Sequence, residues 1–345
     1  MLCLKVMTLN KRLGKQTVAL DTPPVIVSGA AIAGKKEGGG PIGCRFDQIE
    51  PDAYFSQKTW EQGESVMFER ALSLACRKAS IQVDALDAIF SGDLQNQCAG
   101  AAYAMRNASA PFFGLYGACS TMAESAALAA MMIDGGFAEH CAAITGSHYC
   151  TAERQYRAPT GYGGVRTPTA QWTVTGSGCL ILSKTGLGPC VTTVTIGMIA
   201  DKDVKDITNM GAAMAPAAYD TLKAHFQETG RQPDYYDLIV TGDLGHLGHA
   251  IVSECFRRDG TILSNYDDCG RMIFDRDRQD VHAGGSGSGC SAVVLAGHLL
   301  RQMQEGALNR LLFAATGALM SPTTSMQKES IPAICHAISI EVNPL

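Results

Sequence analysis

Two periods of apolar and polar residues alternate along the chain. Short apolar runs that end in glycine turns predict buried strands: 87–91, 111–116, a run ending at Gly146, 179–183 and 237–241. Between them lie longer stretches with helical spacing, at 62–78, 121–134 and 217–229. Strands alternating with helices predict α/β layers with mixed sheets.

The pattern repeats. Leu86-Asp87-Ala88-Ile89-Phe90-Ser91-Gly92-Asp93-Leu94 is matched 150 positions later by Tyr236-Asp237-Leu238-Ile239-Val240-Thr241-Gly242-Asp243-Leu244. A second match pairs the segment ending at Gly146 with the one ending at Gly317, and the larger offset places about 20 extra residues in the second half, around 257–279. A duplicated architecture follows: an extension over 1–15, one half over 16–186 and another over 187–345, with alanine-rich helices buried between two sheets. The expected order of layers is α/β/α/β/α.

Length and composition narrow the class. A chain of 345 residues, 46% hydrophobic and 18% charged, can bury a duplicated core. The net charge of −5 gives no footprint for nucleic acid. The basic residues Lys5, Lys11, Arg12 and Lys15 predict a solvated tail. Thirteen scattered cysteines with no Cys-x-x-Cys pair speak against a disulfide framework and against a metal site, and fit a reducing compartment. No apolar stretch is long enough to span a bilayer, and the N-terminus lacks a secretory layout, so cytoplasmic synthesis and only peripheral membrane contact are expected.

The candidate chemistry centres on Cys119, in Gly117-Ala118-Cys119-Ser120-Thr121-Met122-Ala123-Glu124. An apolar strand precedes it, and Thr121 with Glu124 predicts a capping box that opens a helix. A thiol at a helix N-terminus is biased toward thiolate; the alternative is a small buried residue filling a tight turn. The long segment 147–166 predicts a functional loop, rich in arginine and tyrosine. Gly34-Lys35-Lys36-Glu37-Gly38-Gly39-Gly40-Pro41 lacks the ending of a phosphate loop and is expected to be a flexible surface loop.

A duplicated α/β chain with a cysteine before a buried helix resembles the thiolase and ketoacyl-synthase superfamily. Six strings narrow the resemblance: 92–97, 117–121, 151–157, 173–178, 210–218 and 327–332. Together they resemble the stage V sporulation protein AD family of spore-forming bacteria, from about Gly14 to Glu341. That resemblance implies a thiolase-like fold without established thiolase activity. It implies binding of dipicolinic acid (pyridine-2,6-dicarboxylate), with Ca2+ accompanying the acid and no other cofactor, during uptake into the developing spore. It further implies a peripheral place at the spore inner membrane, membrane-protein partners from the same sporulation operon, and a homodimer.

Condensing enzymes need two polar groups beside the cysteine, one from a loop after the Gly-Asp strand of the second half and one from a glycine-rich turn before its long helix. The residues offered are His246 and His249 at the first place and His282 at the second, none in a matching motif. Cys335 lacks the glycines expected after a thiolase cysteine. A flat dianion calls for arginine forks and aromatic faces. The residues expected to provide a ligand site are Cys119, Asp93, Asn96, His148, Glu153, Arg154 and Arg157, with Arg166 assigned to structure or a dimer contact. Glu153 pairing with Arg154 or Arg157, and Asp93 capping its turn, are the structural alternatives. Three functions stand: a non-catalytic binder of dipicolinic acid, an acyltransferase using Cys119 on an acyl thioester, and a scaffold for channel subunits.

Overall fold

The structure is a computed structural model that describes residues 11–156 and 165–342. In the first half, strands β1 (Val25–Gly34), β2 (Ala88–Gly92), β3 (Phe112–Gly114), β4 (His140–Ser147) and β5 (Gly176–Ser183) alternate with helices α1 (Trp60–Ala79), α2 (Ala99–Met105), α3 (Thr121–Asp134) and α4 (Tyr149–Tyr156). In the second half, strands β6 (Cys190–Thr195), β7 (Leu238–Thr241), β8 (Tyr266–Asp268), β9 (Arg310–Ala318) and β10 (Ala333–Glu341) go with helices α5 (Met210–Thr229), α6 (Gly245–Arg258) and α7 (Ser288–Val293). A π turn over Val294–Leu299 continues α7 into α8 (Leu300–Gln304).

Each half forms a mixed sheet of the same strand order, β3-β2-β4-β5-β1 and β8-β7-β9-β10-β6. In both, the fourth strand of that order is antiparallel to its neighbours. The two sheets meet where Val25 of β1 pairs with Cys190 of β6. They enclose α3 and α7 in one apolar core, built from α3 residues such as Ala123, Ala126 and Ala130 and α7 residues such as Ala292 and Val293. Alanines there let helix and sheet backbones approach closely. Outer layers of α1 with α2, and of α5 with α6, pack on the far faces of the sheets. The five-layer arrangement predicted from the repeat is what the chain adopts.

Several local expectations need correction. The apolar run before Cys119 is not buried: β3 is the outermost strand of its sheet, and Phe112 and Phe113 are exposed. Thr121 and Glu124 form no capping box. A 3-10 turn over Ala118–Ser120 precedes α3, and Thr121 Oγ1 instead donates to Ala118 O at 2.7 Å and accepts from Gly117 N at 3.1 Å. The segment after β4 is not all loop, since α4 occupies its first part. Helix α5 begins at Met210, earlier than predicted, and tolerates Pro216 in its interior. The glycine-rich segment after β1 is an ordered helical turn, Lys35–Gly38, with Glu37 buried. Lys11 is not free in solvent: its Nζ lies 2.6 Å from Asp134 at the end of α3.

Candidate functional site

The turn that presents Cys119 is tight. Ala118 has φ +51°, a left-handed conformation that costs a β-carbon-bearing residue free energy, and Ser120 Oγ ties the turn together by donating to Gly117 O at 2.7 Å. Gly317 of β9 packs so close that a Cβ there would lie 2.1 Å from Gly117 O. The two halves therefore meet at this turn, and Cys119 is buried at 9% exposure.

Beside it opens a small cleft of about 60 Å³. Leu94, Ala152 and the methionines Met210, Met214 and Met320 supply apolar walls, and Tyr116, Tyr156, Thr173 and Ser286 supply hydroxyls. Tyr156 Oη donates to Leu94 O at 2.5 Å, which leaves Tyr116 Oη to donate to Tyr156 Oη at 2.9 Å. No lysine, arginine or histidine lines the cleft among the described residues.

The polar partner of the thiol is a residue that the sequence reading did not select. Cys119 makes a side-chain hydrogen bond to Asp243, which follows β7. Asp243 is fully buried and accepts from Thr316 Oγ1 at 2.7 Å and from Gly287 N at 3.3 Å, with Ser286 Oγ at 3.5 Å. Burial pushes its pKa up to about 6, against the lowering effect of these donors. Asp268 holds the loop in place, accepting from Leu244 N and Gly245 N, each at 2.8 Å. Of the two places expected to supply catalytic histidines, the first reaches the cysteine with Asp243, and the second lines the cleft with Ser286.

The predicted histidines stand elsewhere. His246 is on the first turn of α6 and is held by burial and nearby Arg276 and Arg271 below its ordinary pKa. His249 stacks on Tyr266 at 4.4 Å and contacts Arg271 Nη1 at 2.7 Å. His282 bridges Thr167 O at 2.7 Å and Asp280 at 2.9 Å. None of the three lines the cleft. Cys335 is a buried residue of β10.

The predicted ligand residues also disperse. Asp93 is buried and caps its own turn, accepting from Gln95 N at 2.7 Å and Ala101 N at 2.6 Å. Burial raises its pKa and that of its neighbour Glu64, whose Oε2 accepts from Thr151 Oγ1 at 2.6 Å and Gln95 Nε2 at 2.9 Å. Asn96 is exposed and exchanges hydrogen bonds with Gln155 of α4. His148 accepts from Cys150 N at Nδ1, so Nε2 carries the proton and donates to Ala53 O at 2.8 Å; burial lowers its pKa, and it lines a different cavity. Arg154 pairs with Glu61 rather than Glu153 and lies over Trp60. Glu153 is buried on α4, and Arg157 lies outside the described residues.

A duplicated five-layer fold with a cysteine before the buried helix at the junction of the halves defines a thiolase-like protein. Solved structures agree on the fold: 3-oxoacyl-[acyl-carrier-protein] synthase III of Aquifex aeolicus VF5 superposes with a TM-score of 0.55 at 10% identity, covering 92% of this chain and 99% of that one. Cerulenin-bound OleA of Xanthomonas campestris gives 0.58 at 13% identity, covering 92% and 96%. At such identities the likeness concerns the fold alone. Within that class the family model of stage V sporulation protein AD matches residues 14–341, and stage V sporulation protein AD of Bacillus subtilis (strain 168) is 45% identical over 332 residues, 96% of this chain and 98% of that protein. The chain belongs to the stage V sporulation protein AD family.

Proposed function

We propose that this sporulation-family protein is a non-catalytic binder of dipicolinic acid, taking it from solution for uptake into the developing spore. The observation that carries the non-catalytic half is the pairing of Cys119 with Asp243. A carboxylate beside a thiol opposes thiolate formation, and no histidine lines the cleft among the described residues. The ligand half draws on the family resemblance and on the character of the cleft. With hydroxyls, a buried acid behind the thiol and no lining cation among the described residues, it suits the near-neutral calcium chelate of the acid better than the free dianion. Its methionine walls are unbranched and repack at low cost to admit a flat ring.

Calorimetric titration tests this reading. The acid with equimolar Ca2+ should bind saturably, the calcium-free dianion at least tenfold more weakly, and Cys119→Ala or the cleft-filling Met214→Phe should weaken binding. Absence of binding in both forms to a folded protein would overturn it and direct attention to transfer from acyl thioesters onto Cys119.

The remaining parts of the proposal concern assembly. A second copy of the chain would cover the exposed Phe112 and Phe113 at the β3 edge, giving a homodimer. Sedimentation of a Phe113→Lys variant as a monomer would support that edge as the contact. No helix among the described residues is long and apolar enough to cross a membrane. A place at the spore inner membrane would then come through membrane-protein partners, which co-purification from sporulating cells would test.

A further inference from the structure

A second, larger cavity of about 510 Å³ opens on the first half and shares no lining residue with the Cys119 cleft. Its rim is the helical turn that follows β1, and its walls include Pro51, Ala53, Tyr149, Cys150 and Trp172. Tyr149 stacks on one face of the Trp172 indole, with ring centroids 3.8 Å apart. Lys36 Nζ sits 3.3 Å from the indole centroid, and the Arg166 guanidinium carbon lies 4.8 Å from it.

These two cations are under-compensated. Both donate to a single carbonyl, Asp280 O, at 2.9 Å from Lys36 and 2.8 Å from Arg166. The Asp280 carboxylate touches Arg166 at 3.1 Å, but it is largely exposed and shared with His282. Arg166 Nη1 is buried with no acceptor, a costly state for a guanidinium donor. Burial and the nearby Arg166 charge hold Lys36 below its ordinary pKa, which an arriving anion would reverse. The neighbouring acids do not relieve the pair. Glu37 is buried, accepts from Thr175 N at 3.0 Å and is pushed up to about 7, and Glu50 is bound to Arg70 at 2.8 Å.

We propose that this cavity is a second ligand site, separate from the Cys119 cleft, for a small organic acid with a planar apolar body. The carboxylate sits at Lys36, which lines the cavity, and the Arg166 guanidinium behind it, sharing the Asp280 carbonyl, adds its charge. The body lies against Tyr149, Pro51 and Ala53. The site differs in kind from the cleft: it carries fixed cations and takes a free anion, and it stands whether or not the cleft takes dipicolinic acid.

The chain has two tryptophans, so a Trp60→Phe background leaves Trp172 as a fluorophore in the wall of the cavity. Benzoate is the probe, with acetate and inorganic phosphate beside it. Expected is a saturable change with benzoate, at least tenfold weaker in Lys36→Met and in Arg166→Gln, and retained in Met214→Phe. Acetate and phosphate should respond at least tenfold more weakly than benzoate. Circular dichroism checks that each variant is folded; Lys36→Met keeps the packing on Trp172 while removing the charge. No saturable response in the folded protein would overturn the proposal. So would a response that both charge variants leave intact, one lost in Met214→Phe, or acetate or phosphate binding as tightly as benzoate.

Discussion

Asp93 and Asp243 occupy the same place in the two halves, each in a Gly-Asp-Leu turn at the end of the second strand of its sheet. Their surroundings make them different residues. Asp93 spends its carboxylate on two backbone N–H groups of its own half and lies beside the buried Glu64. Asp243 reaches across the junction to Cys119, while Thr316 and the turn before α7 hold it from its own half. A duplicated motif thus preserves the backbone turn, while the side chain takes its role from whatever the other half brings against it. One copy became a cap and the other the partner of the cysteine.

The largest expected effect tests the capping half of this contrast. Asp93→Ala leaves two buried N–H groups without an acceptor and should destabilise the protein by roughly 3 kcal/mol in urea titration. Asp243→Ala removes mostly side-chain partners and should cost less; equal losses would break the distinction.

Next comes pH. Burial raises the Asp243 pKa to about 6 from an ordinary 3.8, so the folded state holds its proton where the unfolded chain has lost it. That contribution to stability is full below the unfolded pKa and is lost as pH rises through about 6. Asp243→Asn lacks it, so the variant should gain on wild type by roughly 2 kcal/mol between pH 4 and 6.5 in paired urea titrations. Parallel curves would sink the assignment.

A smaller effect reads the chemistry of the thiol. With the carboxylate gone, Cys119 in Asp243→Asn should react with iodoacetamide about three- to tenfold faster at pH 7.5, followed by mass spectrometry of its peptide. The matching Asp93→Asn should leave that rate unchanged. The smallest effect concerns Arg154. Its half-exposed pair with Glu61 should contribute under about 1 kcal/mol, and Arg154→Ala should leave ligand titrations as they are.

Legibility in the sequence followed the range of the interactions. Strand positions, the start of α3 at Thr121 and the duplication were visible because side-chain period and glycine turns are local. The position of Cys119 was visible for the same reason. Its partner was not, because Asp243 lies in the other half, beside histidines at the start of α6 that do not line the cleft. The repeat itself held the signal: the second Gly-Asp falls where the superfamily needs a polar group. The Lys36 cavity was harder still, since its walls come from the β1 turn, α4, Trp172 and the segment around Gln279.

The sequence alone determined the layered duplicated fold, the family and the turn that carries the cysteine, because apolar period, capping glycines and internal repeats act over a few residues. Only the tertiary structure decided that β3 is an exposed edge and that a carboxylate faces the thiol. It also decided that two cations share one carbonyl beside an indole. The last two outcomes depend on contacts between residues more than a hundred positions apart, and the first on which strand lacks a neighbour; burial and electrostatics there are set by packing and leave no periodic trace in the chain.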